Sequence, residues 1–199
     1  MRYIAHRINT RSQLETLPPG MGVEVDLRDR GDRLILQHDP FTDGEDFSDY
    51  LAAYRHGLMI LNIKSERIEM RVLEELQRAG TVADYFFLDC SFPMIRWLIG
   101  KGESRIAVRF SEHEPIGSAL ALVGQVQWVW VDCFTRMPLD AASYRALKRH
   151  FKLCAVSPEL QGRPVESIAA FSRELAPFPM DAICTKRPDL WQQAALAAP

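Results

Sequence analysis

Short apolar runs alternate with helix-period stretches along the whole chain, and that alternation narrows the fold more than any other feature. The runs are "RYIA", "GVEVDL", "LMILNI", "YFFLD", "RIAVRF", "WVWVD", "KLCAV" and "DAICT", eight in all. Between them, "SERIEMRVLEELQRAG" sets Ile68, Val72, Leu73 and Leu76 on one helical face and stops at Gly80. "SFPMIRWLIGKG" opens on Ser91 as a cap and closes at Gly100 and Gly102. "LDAASYRALKRHF" has Asp140 as a cap, with Tyr144, Leu147 and Phe151 on one stripe. "RPVESIAAFSREL" repeats the pattern with Val165, Ile168 and Leu175, and "RPDLWQQAALAA" closes the chain with Pro188 near a helix start. Strict alternation implies a parallel sheet with right-handed crossovers. Eight such units in 199 residues predict one α/β domain over residues 1–199, a compact (β/α)8 TIM-type barrel with short loops and a stunted helix. An open doubly wound sheet is the alternative. Against it, "GVEVDL" and "DRLILQHD" read as a hairpin through "RDRGDR", and no glycine-rich loop follows the first strand.

Charge and composition remove several function classes. Lys and Arg number 24 against 26 Asp and Glu, a net charge of -2, and the basic residues are scattered. That gives no electrostatic footprint for nucleic acid. No apolar run approaches the roughly 18 to 20 residues of a membrane span, and "MRYIAHR" lacks the apolar centre of a signal peptide. Cys90, Cys133, Cys154 and Cys184 have no zinc-type or CxxC spacing and lie in or just after apolar runs, so they read as small core residues. The expectation is a soluble, reduced, cytoplasmic protein, its oligomeric state unspecified.

In a barrel of this kind, functional groups sit at the C-terminal ends of the strands. The first strand ends in His6-Arg7. In the second, Glu24 and Asp26 are two apart, so both carboxylates share one face and Val23, Val25 and Leu27 the other. Two like charges side by side raise each other's pKa, and a divalent cation held by oxygen ligands resolves the conflict. The hairpin then brings in His38-Asp39, and the third strand ends with Asn62 and Lys64 on one face. His56, His113 and His150 lie in loops or helices and read as structural.

Taken in order, "IAHR", "VEVDLRDRGDRLILQHDP" and "LILNIKSE" resemble the N-terminal signatures of the glycerophosphodiester phosphodiesterase family, within the phosphatidylinositol-phospholipase-C-like barrels. The resemblance covers about the first third of the chain, and "DAICTKRPDLW" is similar to the family's final strand. It implies a phosphoric diester hydrolase with His6 and His38 as the acid and base. It further implies Arg7 and Lys64 as phosphate contacts, with Glu24, Asp26 and Asn62 at the positions of the metal ligands. The implied cofactor is a divalent metal, Mg2+ or Ca2+, and the implied partner is a small-molecule or lipid-derived phosphodiester.

The chain departs from the family pattern in three places. Asn62 stands where the family has a third metal carboxylate, so an uncharged amide oxygen replaces a charged ligand. "HRINT" contracts the family's longer segment and has Ile8 in place of glycine. The insertion common between the second histidine and the third strand is largely absent. These departures keep two other functions open: a barrel that has lost catalysis and binds a phosphorylated ligand or partner, and a sugar-phosphate isomerase or lyase. Further along, Asp89, Arg109, Glu112, Asp132, Glu159 and Thr185 also fall near strand ends, and Arg109 is the leading candidate for a second phosphate contact.

Overall fold

Each of the eight apolar runs forms a strand in the computed structural model, which describes residues 1–196. In chain order the elements are β1 (Arg2–Ala5), α1 (Arg11–Glu15), β2 (Gly22–Arg30), β3 (Arg33–Leu36), β4 (Glu45–Asp46), α2 (Phe47–Ala53), β5 (Met59–Ile63), α3 (Glu69–Ala79) and β6 (Tyr85–Leu88). Then follow α4 (Phe92–Gly100), β7 (Ala107–Phe110), α5 (Ile116–Leu120), β8 (Trp128–Val131), α6 (Ala141–Lys148) and β9 (Lys152–Val156). A 3-10 helix (Pro158–Gln161), α7 (Ser167–Leu175), β10 (Ala182–Thr185) and α8 (Pro188–Leu196) complete the described chain. Among the described residues no helix is long and apolar enough to cross a membrane.

The contacts divide the chain into two compact units, one of Met1–Ala5 with the chain from Ala107 onward, the other of His6–Ile106. In the first, β1, β10, β9, β8 and β7 pair in that order, all parallel. The core holds Trp128 and Trp191, each essentially buried. A side chain of that size contributes roughly 1.5–3 kcal/mol or more on burial. Trp191 keeps its one polar atom satisfied, its indole N–H donating to Ser157 Oγ at 2.8 Å. Asp140 caps α6 as the sequence predicts, in a reciprocal capping box with Ser143.

The second unit carries the hairpin. The first part of β2 pairs parallel with β5 from Val23↔Met59 to Leu27↔Ile63, and its far end pairs antiparallel with β3 from Leu27↔Leu36 to Arg30↔Arg33. β5 pairs parallel with β6, bringing Asn62 beside Leu88. Two helix starts differ from the sequence expectation. The run beginning at Ser65 becomes helical only at Glu69, because Arg67 adopts a left-handed φ of 71° that no α-helix contains. Ser91 stands at the N-cap of α4, but its hydroxyl donates to Glu66 Oε1 at 2.8 Å rather than capping the helix. Helices α1 and α5 are only five residues each, too short to leave a periodic signal.

Candidate active site

The turn after β1 folds back on β2. Arg7 takes a left-handed φ of 55°, which aims its backbone N–H at Glu24 Oε2, 2.7 Å away. Ile8 N–H donates to the Glu24 carbonyl at 2.9 Å. Asn9 then clamps Asp26 twice, Nδ2 donating to Oδ2 and Asp26 N–H donating to Oδ1, both at 2.9 Å. "HRINT" is therefore a built connection: Arg7 and Asn9 fix the two carboxylates of β2, and Ile8 ties the turn to its backbone.

Those carboxylates are fully buried, and their other neighbours are basic or amide groups. His6 Nε2 lies 3.8 Å from Glu24 Oε2, and Arg7 Nε lies 3.8 Å from Asp26 Oδ2. Asn62, the register partner of Asp26, donates from Nδ2 to Glu24 Oε1 at 2.7 Å. Lys64 Nζ stands 3.6 Å from Asp26 Oδ1 and 3.6 Å from Asp89 Oδ2. Burial first, and Asp26 second, push the Glu24 carboxyl up to about 7 against the pull of Asn62, the Arg7 N–H and Lys64. The site thus brings His6, Arg7, Glu24, Asp26, Asn62 and Lys64 into one contact network.

His38 enters through its backbone. The Arg28 guanidinium donates from Nε and Nη2 to the His38 carbonyl at 3.1 and 2.8 Å, and from Nη1 to the Lys64 carbonyl at 2.9 Å. One side chain so ties together the loops bearing two candidate residues. The His38 ring bonds through Nδ1 to Asp39 Oδ1 at 2.8 Å, and that bond is the largest influence holding the Asp39 carboxyl below its usual range.

Two buried oxygens of the cluster, Asp26 Oδ1 and Asn62 Oδ1, have no hydrogen-bond partner. Orphaned carboxylate and amide oxygens are the donor chemistry of a hard divalent cation such as Mg2+ or Ca2+, so Asp26 and Asn62 fit one; Glu24 stands beside them with both its oxygens accepting, from the Arg7 N–H and Asn62 Nδ2. Only two of the three carry charge: among the described residues, no group of three or more His, Cys, Asp or Glu side chains is placed to hold a metal.

Arg109 belongs to the other unit, where Nη1 pairs with Asp132 Oδ2 at 2.7 Å. Asp132 is buried and also accepts from the Cys133 N–H and Gln161 Nε2. Glu112 is a loop staple. Partial desolvation opposes its ionisation, but the N–H groups of Thr135 and Arg136 hold the carboxyl down at about 2. Glu159 accepts from Thr185 Oγ1 at 2.6 Å and from Ser157 Oγ, locking one strand end to another. Of the remaining histidines, His56 bonds to the Leu17 carbonyl and His113 lies against Phe134.

Sequence reasoning missed Asn9 and Arg28 as site residues. Arg28 had a usable signal, since it continues the alternate-residue face of Glu24 and Asp26. Asn9 had only the Asn9-Thr10 pair that "HRINT" shares with the family pattern, since its partner lies 17 residues away.

No family model matches the chain, and no curated protein does. Solved structures are similar to it over nearly its whole length. A glycerophosphodiester phosphodiesterase from Agrobacterium tumefaciens matches with a TM-score of 0.70 and 20% identity, covering 96% of this chain and 99% of that one. A glycerophosphodiester phosphodiesterase from Thermotoga maritima matches at 0.63 and 14%, covering 96% of each. An Oleispira antarctica phosphodiesterase, in complex with the product sn-glycerol-3-phosphate, matches at 0.72 and 16%, covering 99% of this chain and 97% of that one. These likenesses show the fold: this chain has the (β/α)8 barrel fold that the alternation of its sequence predicts.

Proposed function

We propose that this chain is a phosphoric diester hydrolase of the glycerophosphodiester type, acting on a small-molecule or lipid-derived phosphodiester. Glu24, Asp26 and Asn62 would hold a divalent cation, Mg2+ or Ca2+. The observation that carries this reading is the single network, no link longer than 3.8 Å, joining His6, Arg7, Glu24, Asp26, Asn62 and Lys64 in a fold shared with such enzymes.

A phosphodiester is an anion whose transition state carries more charge, and Arg7 and Lys64 are the side chains that meet that charge. Asp39 holds His38 Nδ1, which leaves Nε2 to take the proton from the attacking water or substrate hydroxyl. As that oxygen bonds to phosphorus, the bond to the departing alkoxide breaks. His6, beside Glu24, is the group that gives a proton to that alkoxide. When bound, the cation supplies Lewis-acid polarisation of a phosphoryl oxygen.

The test is turnover of a panel of phosphodiesters with several divalent metals and a metal-stripped control. His6→Ala and His38→Ala should each lower turnover by about 10²- to 10⁴-fold. With a nitrophenyl leaving group, which needs little protonation, His6→Ala should cost least. Equal turnover in wild type and both variants would end the hydrolase reading. One observation favours a second reading, a barrel that binds a phosphorylated ligand without cleaving it: Asn62 already satisfies Glu24 with a neutral donor. That reading predicts no cation-dependent turnover of any diester, and the same panel decides.

A further inference from the structure

Asp89 follows β6 directly and has a φ of 61°, a left-handed conformation that costs a residue with a Cβ roughly 1–2 kcal/mol. Strain of that kind persists where the surroundings over-determine it, and here the surroundings include Lys64. The ammonium of Lys64 is 3.6 Å from Asp89 Oδ2 and 3.6 Å from Asp26 Oδ1. The two carboxylates differ in situation. Asp26 has no exposed side-chain surface and Oδ1 has no hydrogen-bond partner, whereas Asp89 is 26% exposed. β5 and β6 pair in parallel up to Asn62↔Leu88, so the strand ends carrying Lys64 and Asp89 run out side by side.

A cation bound at Asp26 Oδ1 would sit roughly 2.0–2.6 Å from it. An ammonium that closed to a full hydrogen bond, about 2.8 Å, would compete for the same oxygen. Lys64 is held short of that. We propose that Asp89 is a positioning residue: it anchors the Lys64 ammonium between two carboxylates and so keeps Asp26 Oδ1 available to a divalent cation. This inference rests on the cation site of the proposed function. Neutralising Asp89 removes the second anchor, and Lys64 then settles on Asp26 in competition with the metal.

The experiment is calorimetric titration of Ca2+ into wild type, Asp89→Asn, Lys64→Met and the double variant. Asn keeps the size of Asp and tolerates the left-handed conformation, so Asp89→Asn isolates the charge. It should weaken Ca2+ binding about fivefold, the worth of a part-exposed ion pair. Lys64→Met should tighten binding, and in its background Asp89→Asn should change the affinity less than about twofold, since the competitor is gone. An equal loss in both backgrounds would show that Asp89 acts through space on the cation and would overturn the positioning role. Unchanged affinity in Asp89→Asn would overturn it too. Absence of Ca2+ binding by wild type would sink both this inference and the cation site, an outcome distinct from the other two. Asp89→Gly, which suits a φ of 61° without strain, should show the same loss as Asp89→Asn and serves if that variant folds poorly.

Discussion

Replacing Asn62 by glutamate adds a third carboxylate beside Glu24 and Asp26, and without a cation it should destabilise the protein. Asn62 Nδ2 donates to Glu24 Oε1 at 2.7 Å, with Asn62 only 7% exposed. A hydrogen bond to a charged acceptor contributes about 1.5–3 kcal/mol. Its loss leaves Glu24, already lifted by burial and by Asp26, facing a like charge in place of a donor. Two full charges about 4 Å apart repel by about 4 kcal/mol at an effective dielectric of 20, though the new carboxyl escapes part of that by protonating. The net cost is about 3–4 kcal/mol, so for a chain of this size Tm should fall by roughly 6–15 °C in chelator. Ca2+ should reverse most of the loss, since ligand at about 100 times its Kd adds about 2.7 kcal/mol. The assay is thermal unfolding followed by circular dichroism, with chelator and with Ca2+. A variant that melts within about 2 °C of wild type in chelator, or that gains nothing from Ca2+, would refute the placement of position 62 beside a cation-binding carboxylate.

Other consequences follow from the same contacts. Glu24 binds a proton more tightly folded, at about 7, than at its ordinary 4.5, so metal-free stability should fall as pH rises between those values and level off above. Urea midpoints in chelator at pH 5 and 8 would check this, and Glu24→Gln should flatten the slope. Asn9→Ala removes both bonds to Asp26 and leaves a buried carboxylate oxygen short of a donor, so it should cost about 2–3 kcal/mol by urea denaturation. Arg28→Met keeps the aliphatic stem but releases the carbonyls of His38 and Lys64. Steady-state kinetics should then show turnover reduced about 10-fold or more, accompanied by a loss of about 2–3 kcal/mol in unfolding free energy by urea denaturation.

Local periodicity made the strands legible. A run such as "MILNI" is apolar enough to be buried on both faces of a parallel sheet, and all five of its residues are. Alternation likewise put Glu24 and Asp26 on one face before any partner was known, and Asp140 announced its helix by a cap that needs only three residues. Where a signal was short or interrupted, the sequence misled. Arg67, in a left-handed conformation, delays α3, and nothing in "SERIE" marks that turn.

What the sequence determined by itself is therefore whatever depends on neighbours a few positions apart: strand, helix face, cap, and the order of ionisable groups at strand ends. Tertiary structure alone decided which of those groups meet. The pairing of Asn62 with Glu24, the double clamp of Asn9 on Asp26, and Lys64 between Asp26 and Asp89 join segments 17 to 38 residues apart. Such contacts depend on strand register and on the left-handed turns at Arg7 and Asp89, and a shift of one residue in either would send each side chain to the opposite face. No local pattern encodes that register; the packing of the whole sheet selects it.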